Sequence, residues 1–385
     1  MIKVLTIIGA RPQIIKAAAI SRAIKNKFSK NMLDIIVHTG QHYDESMSKV
    51  FFDELGIPLP KYNLGVGSKS HGLQTAEMIV GIESIIAKEK PTCIILYGDT
   101  NSTLAGAIAA SKLYLPIVHV EAGMRSFNKA MPEEINRIMC DHVSSMLFSP
   151  TKAGIKNLVA EGFSLKQTSP PSIDHPKLFH CGDVMLDNSL YFSGIAEKRS
   201  RIIQKLNLKK NQYLLATLHR DSNTDNPKNL NALFEAFLSI TKDSGLPIVL
   251  PLHPRTAKLL PKNLNKSLSA AVKKNKLIRI LEPVSFLEMI ALEMNAKLIM
   301  TDSGGVQKEA FFFRKPCIIL RSETEWTELV ENGNAIVTGA DTEKIRKAFS
   351  HFMKSTKLSF PPFYGNGKAA EFICKEIISS FSDGK

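Results

Sequence analysis

Asp302-Ser303-Gly304-Gly305 is the segment whose chemistry is plainest, because an apolar run from Lys297 to Met300 leads into it and a helical pattern through Glu309 leads out. Ser303 is suited to cap the first helical turn. The two glycines let an anion approach the backbone without meeting a Cβ, and the N–H groups of the first turn favour negative charge. Glu309, two turns in, would repel that anion and suits neutral hydroxyl donors such as those of a ribose. The segment reads as a nucleotide-diphosphate cradle, set against the plainer reading of a tight turn at a helix start.

Other polar residues fall where apolar runs end. Asp99 follows the run Thr92 to Leu96 and precedes a helix opening at Thr100-Asn101-Ser102-Thr103, so a capping role competes with a catalytic one. Glu121 follows Ile117-Val118-His119-Val120. A carboxylate there has a raised pKa unless it is paired, and Arg125 or Arg137 is the expected partner. In Pro132-Glu133-Glu134-Ile135-Asn136-Arg137, a proline at the first helical position and acids in the first turn account for one glutamate and leave the other available for a site. His219-Arg220 and His253-Pro254-Arg255 end two later runs; set against the plainer reading of structural histidines, His219, His253 and Arg255 offer donors to a pyrophosphate. Short metal-ligand spacings such as H-x-x-x-H or C-x-x-C are missing, and Gly9-Ala10-Arg11-Pro12 lacks the G-x-G-x-x-G fingerprint, which disfavours metal and dinucleotide chemistry.

The elements that must position these residues are short Ile-, Val- and Leu-rich runs alternating with helical segments almost from end to end. That alternation predicts an α/β protein with parallel sheets and helices on both faces. Expected strands are Val4 to Ile8, Asp34 to His38, Thr92 to Leu96, Ile117 to Val120 and Met146 to Phe148. A second series begins at Lys177 to His180 and continues through Tyr213 to Leu218, Pro247 to Leu252, Leu277 to Leu281, Lys297 to Met300, Pro316 to Leu320 and Ala335 to Val337. Thr168-Ser169-Pro170-Pro171-Ser172 reads as a linker or exposed loop, which sets domains of 1–175 and 176–360. Polar strand ends in both halves predict two sheets facing a common cleft.

At 385 residues the chain is long enough for two domains, with 44% hydrophobic and 22% charged residues as in ordinary globular proteins. Its apolar runs are too short for a membrane helix, and MIKVLTIIGARPQ is read as a first strand with no export. Five scattered cysteines suit a cytoplasmic location. The net charge of +14 is spread as lysines over helical faces, so it favours anionic ligands without requiring nucleic acid.

The motifs IGARPQIIKAAAI, HTGQHYD, YGDTNSTLAG, HVEAGMRS, PEEINR, TDSGGVQKEA and YGNGKAAEFI, in that order, closely resemble those of the non-hydrolysing UDP-N-acetylglucosamine 2-epimerases. The resemblance implies a glycosyltransferase-B-like fold of two Rossmann-like domains facing a central cleft, a C-terminal helix (361–385) packing back on the first domain, and a homodimer without metal or redox cofactor. It implies inversion at C2 of a UDP-2-acetamido sugar, UDP-GlcNAc to UDP-ManNAc, through elimination of UDP and re-addition. By motif, Asp99, Glu121, Glu133 and His219 match residues implicated in catalysis, and Arg11, Ser303, Gly304, Gly305 and Glu309 match nucleotide-binding positions. Asp221-Ser222-Asn223-Thr224-Asp225 and Thr324-Glu325-Trp326-Thr327-Glu328 depart from the usual pattern and look similar to the branch acting on UDP-2,3-diacetamido-2,3-dideoxyglucuronate. A UDP-sugar glycosyltransferase is the competing reading from another enzyme class. A binding protein that has lost catalysis is disfavoured by the retained carboxylates. As positioned acid or base groups, Glu121 and Asp99 lead to a direct expectation: Glu121→Gln or Asp99→Asn lowers turnover by ~10²-fold or more while UDP binding survives. Near-normal turnover in a steady-state assay of either variant removes that residue from the catalytic set.

Overall fold

The computed structural model describes residues 1–41, 52, 56–166, 168–355 and 357–382. The chain forms two compact units, one of residues 1–188 and 362–385 and one of residues 189–361. Among the described residues no helix is long and apolar enough to cross a membrane.

The first unit is built on a seven-stranded sheet in the order β3-β2-β1-β4-β5-β6-β7. Its strands are β1 (Ile2–Ile8), β2 (Met32–His38), β3 (Tyr62–Asn63), β4 (Cys93–Tyr97), β5 (Ile117–Val120), β6 (Met146–Ser149) and β7 (Lys177–His180). Every pairing is parallel. Helices shield both faces, so β4 and β5 are buried along their whole length, which is why they read as unbroken apolar runs rather than alternating ones. Ile7, Ile94, Leu96 and Ile117 pack with Met78, Ile82 and Ala109 from the flanking helices.

β7 corrects the sequence reading, which grouped Lys177 to His180 with the second series. It pairs in parallel with β6, and Phe179 stacks on Phe148 with centroids 4.8 Å apart while Phe372 of helix Ala369–Ser382 meets both rings edge-on. Aromatic burial on the first sheet outweighs the turn chemistry before it. Thr168 to Pro170 are exposed, so that stretch is a loop within the first unit. The compact units divide between Asn188 and Ser189, inside helix Val184–Arg199. Asp187 accepts the N–H groups of Ala369 and Ala370 at 3.1 and 2.8 Å, tying the start of helix Ala369–Ser382 into this unit.

The second unit carries a six-stranded parallel sheet, β10-β9-β8-β11-β12-β13. Its strands are β8 (Leu214–Thr217), β9 (Ile248–Pro251), β10 (Ile278–Leu281), β11 (Leu298–Thr301), β12 (Cys317–Ile319) and β13 (Ala335–Val337). Phe234, Phe237 and Ile240 of helix Pro227–Ser244 bury against Leu214, Leu250, Leu298 and Met300.

Each sheet reverses its strand order once, between β1 and β4 in the first and between β8 and β11 in the second. At such a switch point the chains leaving the two strands diverge to opposite faces and open a crevice beyond their carboxyl ends. Gly9-Ala10-Arg11 and Gly98-Asp99 leave the first switch point; His219-Arg220 and Asp302-Ser303 leave the second.

Candidate active site

In the first unit, Gln13 joins the two diverging loops. Its carbonyl oxygen accepts the N–H groups of Gly9 and Ala10 at 2.9 and 3.2 Å, and its amide donates to the Tyr97 carbonyl and Thr103 Oγ1, both at 3.0 Å. Gly9 is required by packing, since a Cβ there would lie 2.0 Å from Ser102 Oγ and 2.2 Å from Thr39 Oγ1. Arg11 is exposed at the start of helix Arg11–Ala23. Gln41 reaches Ser102 Oγ at 2.8 Å, whereas His42 to Asp44 of the same motif lie outside the described residues.

Asp99 is half-buried and forms an ion pair with Arg137, while its carbonyl accepts from Asn136 at 3.0 Å. The capping role open to it belongs to Thr100, whose hydroxyl accepts the Thr103 N–H at 3.4 Å. Glu121 sits just past β5 at φ +75°, a left-handed conformation that costs a non-glycine residue about 1 kcal/mol or more.

The Glu121 carboxylate pairs with Lys16 of helix Arg11–Ala23, which corrects the expectation of Arg125 or Arg137. Arg125 is held instead by Asp141 at 2.8 Å and by both oxygens of Glu161 at 2.7 and 2.6 Å. Arg137 spans Asp99 and Glu134. The kink at Glu121 separates its side chain from the residues that follow it, and no sequence spacing announces a partner 105 positions away. Of the two adjacent glutamates, Glu134 is 1% exposed and accepts from Ser126 N–H, Ser126 Oγ and Phe127 N–H at 2.9, 3.0 and 2.9 Å. Glu133 is exposed. Arg11, Asp99 and Glu121 therefore leave three strands, β1, β4 and β5, that are consecutive in the sheet.

In the second unit, Asp302 is fully buried and organises the loop after β8. It accepts the His219 N–H at 3.1 Å, the Arg220 N–H at 3.2 Å, Asn223 Nδ2 at 3.0 Å and His219 Nδ1 at 2.9 Å. Burial alone would raise its pKa, but His219 and the surrounding donors hold it below the usual carboxylate value. His219 is thus fixed through Nδ1, with its side chain 45% exposed.

Ser303 caps helix Gly304–Phe312, its hydroxyl accepting the Val306 N–H at 3.5 Å. The first-turn amides have no carbonyl partner within the helix and are the donors such a cradle offers. Protein packing does not demand the glycines here. A Cβ on Gly305 would meet Ser303 Oγ at 3.9 Å, and on Gly304 its nearest neighbours would be Glu325, Trp326 and Arg321 atoms at 3.6 to 3.9 Å, all ordinary contact distances. Neither glycine has positive φ. Room for a Cβ at two glycines with ordinary backbone fits close approach of a ligand.

Trp326, noted in the sequence only as a departure from the usual pattern, borders this turn together with Arg321, which the sequence did not single out. Trp326 Nε1 donates to the Gly304 carbonyl at 3.0 Å, and Lys308 Nζ lies 4.1 Å from the Trp326 ring centroid. Arg321 grips both oxygens of Glu325 at 3.2 and 3.0 Å. Glu309 lies further along the same helix, half-buried. His253 caps helix Pro254–Asn263 by accepting the Arg255 N–H at 3.3 Å, and Arg255 pairs with Asp221 at 2.6 Å and with Asp225. Both follow β9, next to β8 in the sheet. Among the described residues no cluster of His, Cys, Asp or Glu is placed to hold a metal ion.

The family model described as UDP-N-acetylglucosamine 2-epimerase matches residues 25–378. The chain is 47% identical over 376 residues to a UDP-N-acetylglucosamine 2-epimerase homolog of Methanococcus maripaludis, covering 97% of this chain and 99% of that one. It is 46% identical over 375 residues to the UDP-2,3-diacetamido-2,3-dideoxy-D-glucuronate 2-epimerase of Pseudomonas aeruginosa, with 97% and 99% covered. Among solved structures it resembles the Methanocaldococcus jannaschii UDP-GlcNAc 2-epimerase in complex with UDP-GlcNAc and UDP, at 43% identity and a TM-score of 0.85, covering 98% of this chain and 100% of that one.

The two glycines of the cradle separate fold from ligand. Gly305→Ala is expected to leave stability unchanged or raise it by up to about 1 kcal/mol, since alanine favours a helix. The same change is expected to weaken UDP binding about tenfold or more, measured by calorimetry beside a thermal melt. Unaltered UDP affinity removes Gly305 from the ligand site.

Proposed function

The chain belongs to the UDP-N-acetylglucosamine 2-epimerase family and is an isomerase, and on that premise we propose that it inverts C2 of UDP-GlcNAc to give UDP-ManNAc. UDP is held by the N-terminal turn of helix Gly304–Phe312, with Ser303, Gly304 and Gly305 at the diphosphate and Glu309 at the ribose. Arg11, His253 and Arg255 add donors to the nucleotide. The observation that carries this reading is the capped, glycine-lined helix start at the second switch point, open where packing alone would admit a side chain.

The C2 proton is not adjacent to a carbonyl, so its direct removal is difficult. As the C1–O bond to UDP stretches, C1 gains oxocarbenium character and C2–H becomes acidic; a carboxylate takes the proton and UDP departs, leaving a 2-acetamidoglucal. Return of a proton to the opposite face of C2 and of the UDP oxygen to C1 completes the inversion. Asp99, Glu121 and Glu133 supply the proton-transfer and positioning groups, and His219, fixed by Asp302, presents Nε2 near the leaving group's cradle. Lys16 pairs with Glu121 and orients it.

A second substrate, UDP-2,3-diacetamido-2,3-dideoxyglucuronate, is favoured by the Asp221 to Asp225 loop, by Trp326 beside the cradle, and by 46% identity to the Pseudomonas aeruginosa enzyme of that name. Incubation with each sugar nucleotide in D₂O distinguishes them by NMR. Deuterium entering C2 identifies the substrate, and no incorporation into either refutes epimerisation.

We also propose that the enzyme works in the cytoplasm as a homodimer. Exposed apolar side chains line three successive helices of the first unit: Leu73 and Val80 of His71–Glu89, Leu113 and Tyr114 after Asn101–Lys112, and Ile135 and Met139 of Pro132–His142. An apolar face of that kind is covered most simply by its own copy. Sedimentation should give a dimer that Val80→Asp with Met139→Asp converts to monomer; a monomeric parent protein contradicts it.

A further inference from the structure

His119 lies within β5 with no exposure, and each of its ring nitrogens faces an acceptor. Nδ1 is 2.6 Å from Asp141 Oδ1, and Nε2 is 2.8 Å from the Gly98 carbonyl oxygen. A neutral imidazole owns one N–H and can satisfy only one of two such acceptors, unless Asp141 itself carries a proton. Arg125, 2.8 Å from the other Asp141 oxygen, and the Gly123 N–H, at 3.1 Å, both favour the ionised carboxylate.

Asp141 is sealed from water and matched by Arg125, which is 1% exposed, while Glu161 on the far side of Arg125 is 28% exposed and reaches water. The protonation state of His119 is therefore set by the two acceptors that its ring faces.

We propose that His119 is a permanently protonated imidazolium and a positioning residue, whose Nε2–H holds the Gly98 carbonyl and thereby fixes the backbone that carries Asp99. Gly98 has φ +62°, and a Cβ on it would lie 3.0 Å from Lys16 Nζ and 3.4 Å from Glu121 Oε2. The peptide gripped by His119 thus borders the Lys16–Glu121 pair. Glu121 itself is two residues further along the same chain. One buried cation sets the placement of both carboxylates to which proton transfer is assigned.

The titratable groups facing His119 are Asp141 and the Cys140 thiol, both from helix Pro132–His142. Arg125 acts through Asp141 and Glu161 acts through Arg125, while His142 stands 3.4 Å from Glu161 at the exposed rim. Burial pulls the imidazole towards neutrality, but Cys140 and Asp141 overcome it and raise its pKa well above the ordinary value. Since the folded pKa is the higher one, the stability this group contributes is complete below about pH 6.5 and is lost only as pH climbs through the raised value.

The role in catalysis rests on the proposed function of Asp99 and Glu121; the protonation state does not. Nitrogen-15 NMR of the full chain labelled at histidine reads the protonation state directly, with the His119 signals assigned by their loss in His119→Gln. Two protonated ring nitrogens from about pH 6 to about pH 9 support the proposal, and a bare ring nitrogen in that range overturns it. Asp141→Asn offers a second assignment should His119→Gln fail to fold, because removal of the counter-charge should bring one ring into ordinary titration. In His119→Gln the amide keeps a donor for Gly98 but the charge is gone. Its kcat should fall about tenfold with KM nearly unchanged, and the acid limb of the rate profile should move to higher pH, as loss of a nearby positive charge requires. A profile superimposable on that of the parent enzyme refutes the positioning role. Absence of C2 exchange in the parent enzyme would instead fault the proposed reaction and leave the NMR result standing.

Discussion

A carboxylate sealed from water must be matched by donors, and each half of this chain uses that constraint to shape the loops beyond its sheet. Removing an ionised carboxylate from water costs several kcal/mol, and hydrogen bonds to it return about 1.5 to 3 kcal/mol each. Asp141 and Asp302 are both fully buried. Asp141 collects the Gly123 N–H, His119 and Arg125; Asp302 collects the backbone of His219 and Arg220, the His219 ring and Asn223. Satisfying these anions leaves little freedom to the segments that carry Glu121 and His219. The charged groups are consequences of the same packing that forms the cores.

Parallel sheets make this arrangement useful. All strands of a sheet deliver their following loops to one edge, and the reversal of strand order parts two of those loops. At the first reversal Gln13 bridges the parted loops, so Arg11 and Asp99 start from a common rigid base. At the second, Ser303 turns the chain directly into a helix whose first amides are aimed outward from the sheet edge. Anion binding and proton transfer call for different surroundings, the one rich in N–H donors and the other in paired carboxylates. In the function proposed, they fall to separate sheets, so that each can be built without compromising the other.

Much of this could be read from the residues in order. Unbroken Ile- and Val-rich runs located twelve of the strands within a residue or two, because strands buried on both faces leave that signature; β3, only two residues long, left none. Ser303 and its two glycines declared a helix start, and polar residues at strand ends marked the candidate site. The pairing of Lys16 with Glu121 was not legible, since it depends on a left-handed backbone at Glu121 and on a lysine 105 positions earlier in the chain. The part played by Asp302 was equally hidden, as an aspartate before a helix looks like a turn residue until its donors are seen converging from β8. Lys177 to His180 went to the wrong sheet because Pro and Ser punctuation is local, whereas the stacking of Phe179 on Phe148 is not.

We place UDP on the amides at the start of helix Gly304–Phe312, and a crystal structure of the enzyme with UDP is the decisive measurement. Diphosphate oxygens are expected within hydrogen-bonding distance of the Ser303 to Gly305 backbone, and ribose hydroxyls on the Glu309 carboxylate. Diphosphate density remote from that turn, with the amides facing solvent, would contradict it.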